Sequence, residues 1–267
     1  MTHGPRDRTR GDSAPFFAGD DAAILSQNEV AALCMKAARG AGMSWGLAEE
    51  TGFAAAWLTA RGIDGPRHLA DHLMAAQHRA WPDLCPDLCP VVAPVVTPGA
   101  GSDAGSDAGS DAGSGTWAAR SLGALCPIAL GATLSDHAAL PVGLGTGPIR
   151  TGPVDHPVLL CPFLSAIAAA LGQVVMLEWD RGATAFHAGG AVNPLALLAL
   201  EGRMGAVLNL SLRPGRAKAQ RTAAPPATGA RTDAATVAVL NALALRTTVP
   251  ASDASRAGAG AAMTDND

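Results

Sequence analysis

Three side chains on one short stretch carry the clearest chemistry in the sequence: His68, Asp71 and His72. On a helix, residues four apart share a face, so His68 and His72 could grip one metal ion with Asp71 beside them. An inverted zincin motif has glutamate before its second histidine, and Asp71 stands there instead, with no third ligand in sight. Five cysteines form a second pattern. Cys85, Cys89, Cys126 and Cys161 each sit in a Leu-Cys-Pro tripeptide, and Cys34 stands apart. None of these pairs has the two-residue gap of a zinc ribbon, so Cys126 and Cys161 read as packing residues.

The end of the chain offers a third grouping. Ser252, Ser255, Arg256 and Asp265 lie among glycines that let a backbone approach closely. Arginine and serine hydroxyls suit a ligand carboxylate or phosphate, so these four are the candidate ligand-binding residues. Ser135-Asp136-His137 has the letters of a hydrolase triad without a nucleophile elbow, and helix capping is the expected role. Gly143 to Gly147 lacks the strand–helix context of a dinucleotide loop, and no Walker lysine follows any glycine run. No cofactor is therefore expected.

Net charge is −4 over 267 residues, which gives no general attraction to nucleic acid or to acidic membranes. The basic stretch Arg213, Arg216, Lys218 and Arg221 has no aromatic residue to stack on bases. Seventeen arginines against two lysines read as the imprint of a GC-rich bacterial genome. Pro157 to Leu177 carries no formal charge, but Pro162, Gly172 and Gln173 interrupt it, and a buried helix leading into a core strand is expected. A soluble, cytoplasmic protein follows from these features.

These groups need elements to hold them. Ser26 with Glu29 fits a capping box, and Val30, Leu33, Cys34, Ala37 and Ala38 then recur at helical spacing until Gly40 and Gly42 supply a stop. Ser44 caps a second helix over 45–61, and Pro66 suits the first position of a third, striped by Leu69, Leu73, Ala76 and Ala80. Then come the tandem copies Pro-Asp-Leu-Cys and Gly-Ser-Asp-Ala, a low-complexity linker expected to be disordered. Further on, 158–171 reads as a strand turning into helix at Pro162, 174–187 as a β-hairpin, 206–212 as a strand and 234–246 as a helix capped by Thr232 or Asp233. The fold class is α+β, with a helical unit at 23–81 and a mixed part at 117–250. Between them lies the linker 82–116; a leader at 1–22 and a polar segment at 251–267 complete the chain, and the whole can pack as one domain.

Two stretches resemble a known bacterial family. Asn28-Glu29-Val30, Lys36 to Gly42 and Ser44 to Glu50 resemble the opening of a family known only as a domain of unknown function. Thr248 to Arg256, with Gly258 to Asp267, resembles its C-terminus. That resemblance implies no activity. Arg61-Gly62-Ile63-Asp64 is in turn similar to a segment of the type 2 malate/lactate dehydrogenases. There Gly65 and Pro66 stand in place of the Ser-His that carries the catalytic histidine, and His68 falls two residues late. This likeness implies at most a degenerate relative that binds a small acid or a partner. The reading favoured by the residues is a non-catalytic accessory protein that binds a small acidic ligand or a protein partner. A small-molecule enzyme using His68, His72 or His137 as acid–base groups is the alternative.

Overall fold

The computed structural model describes residues 22–87, 115–121, 123–140, 143–190, 192–215 and 230–247. The N-terminal helices begin as the caps dictate. Helix α1 (Gln27–Gly40) starts at Ser26, whose hydroxyl accepts from the Glu29 amide while the Glu29 carboxylate accepts from the Ser26 amide. Helix α2 (Trp45–Thr59) is capped by Ser44, and α3 (Gly65–Ala75) by Asp64 with Pro66 in its first turn. Val30, Cys34, Ala37 and Ala38 form the buried stripe of α1, at the spacing of one helix face. Ala80, placed in the α3 stripe by its spacing, lies beyond the helix and is exposed.

Two chain-distant pieces complete this helical layer. Strand β1 (Ala22–Leu25) pairs antiparallel with β8 (Ala230–Asp233), setting Ala22 opposite Asp233. Directly after β8, Asp233 caps α7 (Ala234–Leu245), accepting from both the amide and the hydroxyl of Thr236. Helix α7 lies against α1 and α3. The close approach needs Gly40: a side chain there would run into the Leu243 carbonyl of α7. Asp64 joins the two ends again, accepting from the Thr232 hydroxyl at 2.5 Å while capping α3 through the Arg67 amide.

The remaining strands make one mixed sheet. They are β2 (Pro86–Asp87), β3 (Gly115–Ala119), β4 (Ile149–Val154), β5 (Val174–Trp179), β6 (Gly182–Phe186) and β7 (Ala206–Arg213), in the spatial order β2-β3-β4-β7-β5-β6. Only β3 and β4 run parallel; the other neighbours are antiparallel. The pairing of β4 with β7 slips between Arg150 and Pro153, where Thr151 lends its hydroxyl oxygen to the Leu208 amide. One face is apolar, with Ile149, Leu208, Leu210, Val175, Leu177 and Phe186 buried, while Arg150, Glu178 and Asn209 stand exposed.

Helix α5 (Cys161–Leu171) covers the apolar face at β5 and β6, with α4 (Pro127–His137) beside it, and α2 packs on both. The Phe53 ring of α2 meets Phe163 of α5 edge-on at 5.8 Å. The short helix α6 (Pro194–Leu198) rests against β6. Buried residues from Val30 to Leu243 thus form a single hydrophobic cluster. The α+β class, the three opening helices and the hairpin stand as the sequence implies.

Two segments differ from what the sequence implies. Residues 157–160 form a 3₁₀ turn rather than a strand, because an apolar run bounded by Pro157 and Pro162 meets the first-turn preference of proline instead of sheet pairing. Ser135 and Asp136 do not cap a following element; they belong to the last turn of α4, where the Ser135 hydroxyl donates back to the Gly131 carbonyl at 2.9 Å. The tandem-copy linker, apart from its edges, lies outside the described residues.

Candidate functional site

Helix α3 turns both histidines inward. His68 and His72 are 7% and 3% exposed, on the face they share with Leu69 and Leu73, while Asp71 faces out. The two rings do not converge on one point. His68 Nε2 meets Glu201 Oε1 at 3.1 Å, and His72 Nε2 meets Cys126 Sγ at 3.3 Å. Among the described residues, no group of three or more histidine, cysteine or acidic side chains is placed to hold a metal ion.

A third histidine completes the cluster. His156, two residues beyond the end of β4, precedes the 3₁₀ turn in a left-handed conformation (φ 50°, ψ 54°), uncommon for a residue with a side chain. Its ring meets that of His72 edge-on with centroids 5.8 Å apart, and Trp81 tilts over His72 at 5.9 Å. The His156 amide donates to the Arg203 carbonyl at 3.0 Å, and Asp155 accepts from the Gly205 amide at 2.8 Å. The segment carrying Glu201 and Arg203 is therefore fastened to the His156 corner through Arg203 and Gly205, and to α3 through Glu201.

Cys126 lies one residue before α4, where free amides point outward along the helix axis. Burial pushes its thiol up to about 12, against the pull of the nearby Ile128 and Ala129 amides, which favour a thiolate. Burial, then the proximity of His156 and Arg79, holds His72 down to about 3. His156 is lowered by burial as well, against the pull of Asp71 and Asp155. The pair is thus a neutral thiol beside a neutral imidazole. Among the described residues, Nδ1 of His72 and Nδ1 of His156 are both buried without a hydrogen-bond partner. Such atoms cost about 1–3 kcal/mol each, so this cluster stores free energy in the folded state.

Elsewhere the sites read from sequence scatter. His137 anchors Nδ1 on the Thr133 carbonyl at 2.8 Å, in the last turn of α4. Cys161 is buried, as a packing residue should be, and its thiol is pushed far up by burial. A cavity of about 350 Å³ opens between Leu144, Gly147, Gln173 and Ser211, with no titratable side chain in its wall among the described residues. Ser252, Ser255, Arg256 and Asp265 lie outside the described residues. His156, Glu201 and the pairing of Cys126 with His72 had no sequence signal, because the partners stand 54 or more residues apart and only the fold joins them.

The architecture is a mixed sheet covered on one face by helices, with a closed histidine–cysteine cluster at the seam between helical and sheet parts. Residues 25–94 match the model of a family described as a protein of unknown function (DUF3726). That segment contains α1 to α3 and both His68 and His72, but not Cys126, His156 or Glu201. No curated protein and no solved structure matches the chain. Among the described residues, no helix is long and apolar enough to cross a membrane.

Proposed function

We propose that this chain is a non-catalytic, soluble and cytoplasmic accessory protein that binds a small acidic ligand or a protein partner. The observation that supports it is the closure of the Cys126–His72 pair: 1% and 3% exposed, and uncharged at neutral pH. An enzyme's nucleophile and base must meet a substrate, and these two are spent on each other inside the core. Ligand binding in this reading falls to the polar C-terminal residues, with Arg256 and the hydroxyls of Ser252 and Ser255 receiving an anionic group. Neither nucleic acid nor membrane is a partner. His68, Asp71 and His72 stay in this reading as a metal site that a bound ion would have to assemble by turning both rings away from their present partners.

One observation favours an enzyme instead. A thiol at the start of a helix, facing an imidazole nitrogen, is the arrangement from which a reactive thiolate is made once water or substrate reaches it. His68 paired with Glu201 would then be the second acid–base group. Calorimetric titration of the full chain with L-malate and with inorganic phosphate, beside an NADH absorbance assay with malate and NAD, separates the readings. Saturable binding lost in Arg256→Gln, with no NADH formed, is the expected result. Turnover that disappears in His72→Gln would replace this reading with the enzymatic one.

A further inference from the structure

We propose that β6 is a self-pairing edge through which two copies of this chain join into one continuous sheet. The two ends of the sheet differ in how they are protected. At the β2 end the strand is two residues long and carries Pro86 and Asp87, both of which discourage pairing. At the other end β6 reads Gly-Ala-Thr-Ala-Phe, with no charge and no proline.

The register of the hairpin identifies the free groups. Asp180 and Arg181 form a two-residue turn, so Trp179 and Gly182 close it as a hydrogen-bonded pair. Bonded pairs alternate along antiparallel strands, which assigns Leu177 with Thr184 and Val175 with Phe186 to the inner ladder. The amides and carbonyls of Ala183 and Ala185 therefore face outward, and neither residue has a backbone partner beyond β5 among the described residues.

This edge is complementary to itself. A two-fold axis through Thr184 sets Ala183 of one copy opposite Ala185 of the other, and the two residues with outward groups then exchange both hydrogen bonds, twice over. Thr184 and Phe186 point into the core, so methyl groups alone line the junction on the open face. Strand pairing of this length falls short of the roughly 1,000 Å² that a specific interface needs. Helix α6 supplies more: it rests against β6, and Leu195 and Leu198 are 74% and 46% exposed. An axis perpendicular to the sheet puts α6 and its mate on the same face beside the junction, where these leucines gain apolar cover.

Sedimentation velocity on the full chain, over a concentration series up to about 100 μM, is the test. The expected result is a species of twice the 26.7 kDa chain mass. Ala185→Pro removes an outward amide, and Ala183→Asp sets a charge on the junction without touching the core; both should give a monomer with unchanged circular dichroism. Amide exchange at Ala183 and Ala185 should also quicken on dilution of the wild type. A wild type that stays monomeric throughout, or a dimer that persists in the folded variants, overturns the proposal.

Discussion

The Nε2 atom of His72 lies 3.3 Å from the sulfur of Cys126, and both side chains are sealed from solvent. Their ordinary roles would be base and nucleophile. Burial reverses that polarity of purpose, because neither can take its charged form without an uncompensated charge in the core. The pair ties α3 to the start of α4, across the seam between the family-matched segment and the rest of the chain.

Acid should therefore loosen the molecule through His72. Its folded-state pKa, about 3, lies below the unfolded value near 6.5, so the unfolded chain binds the extra proton between these two values. Stability is complete above the unfolded value and falls as pH drops toward 3, by roughly 5 kcal/mol from this group when the interval is fully crossed. Urea unfolding at pH 7 and pH 4 should show a steeper loss for the wild type than for His72→Phe. Equal losses would place the acid sensitivity elsewhere.

Asp64 serves two elements at once, capping α3 and holding the Thr232 hydroxyl of β8. Asp64→Ala removes both contacts and should cost about 2 kcal/mol, more than an ordinary cap alone. Asp64→Ser restores the cap and should recover part of the loss. Thermal unfolding of the two variants measures the difference.

Gly40 and Gly46 make a contrasting pair. A methyl at Gly40 would run into the Leu243 carbonyl, whereas nothing among the described residues lies within 4 Å of one at Gly46. Gly40→Ala should destabilise by about 1–3 kcal/mol through forced separation of α1 and α7. Gly46→Ala should be neutral or slightly stabilising. Chemical denaturation of both variants checks the sign at each site.

Local signals in the sequence were enough for the caps and the hairpin. Ser26 with Glu29, Ser44 and Pro66 act within four residues of the helix ends they define, and alternation in 174–187 needs only its own turn. Gly40 was legible as a helix stop but not as the contact point for α7, which depends on a helix about 200 residues away. The pairing of β1 with β8 was hidden for the same reason. His68 and His72 stood out by spacing, and their shared face is real. What the spacing omits is that each ring finds a different distant partner, Glu201 for His68 and Cys126 for His72.

Thiol labelling of the native chain tests the central claim most directly. The protein is treated with iodoacetamide at neutral pH, and each cysteine is located by peptide mass. Half-buried Cys85 should be modified while Cys126 stays unmodified, with Cys34 and Cys161, until denaturant unfolds the chain. Rapid modification of Cys126 in the folded protein, abolished in His72→Gln, would contradict a closed, neutral pair and make this cluster an active site.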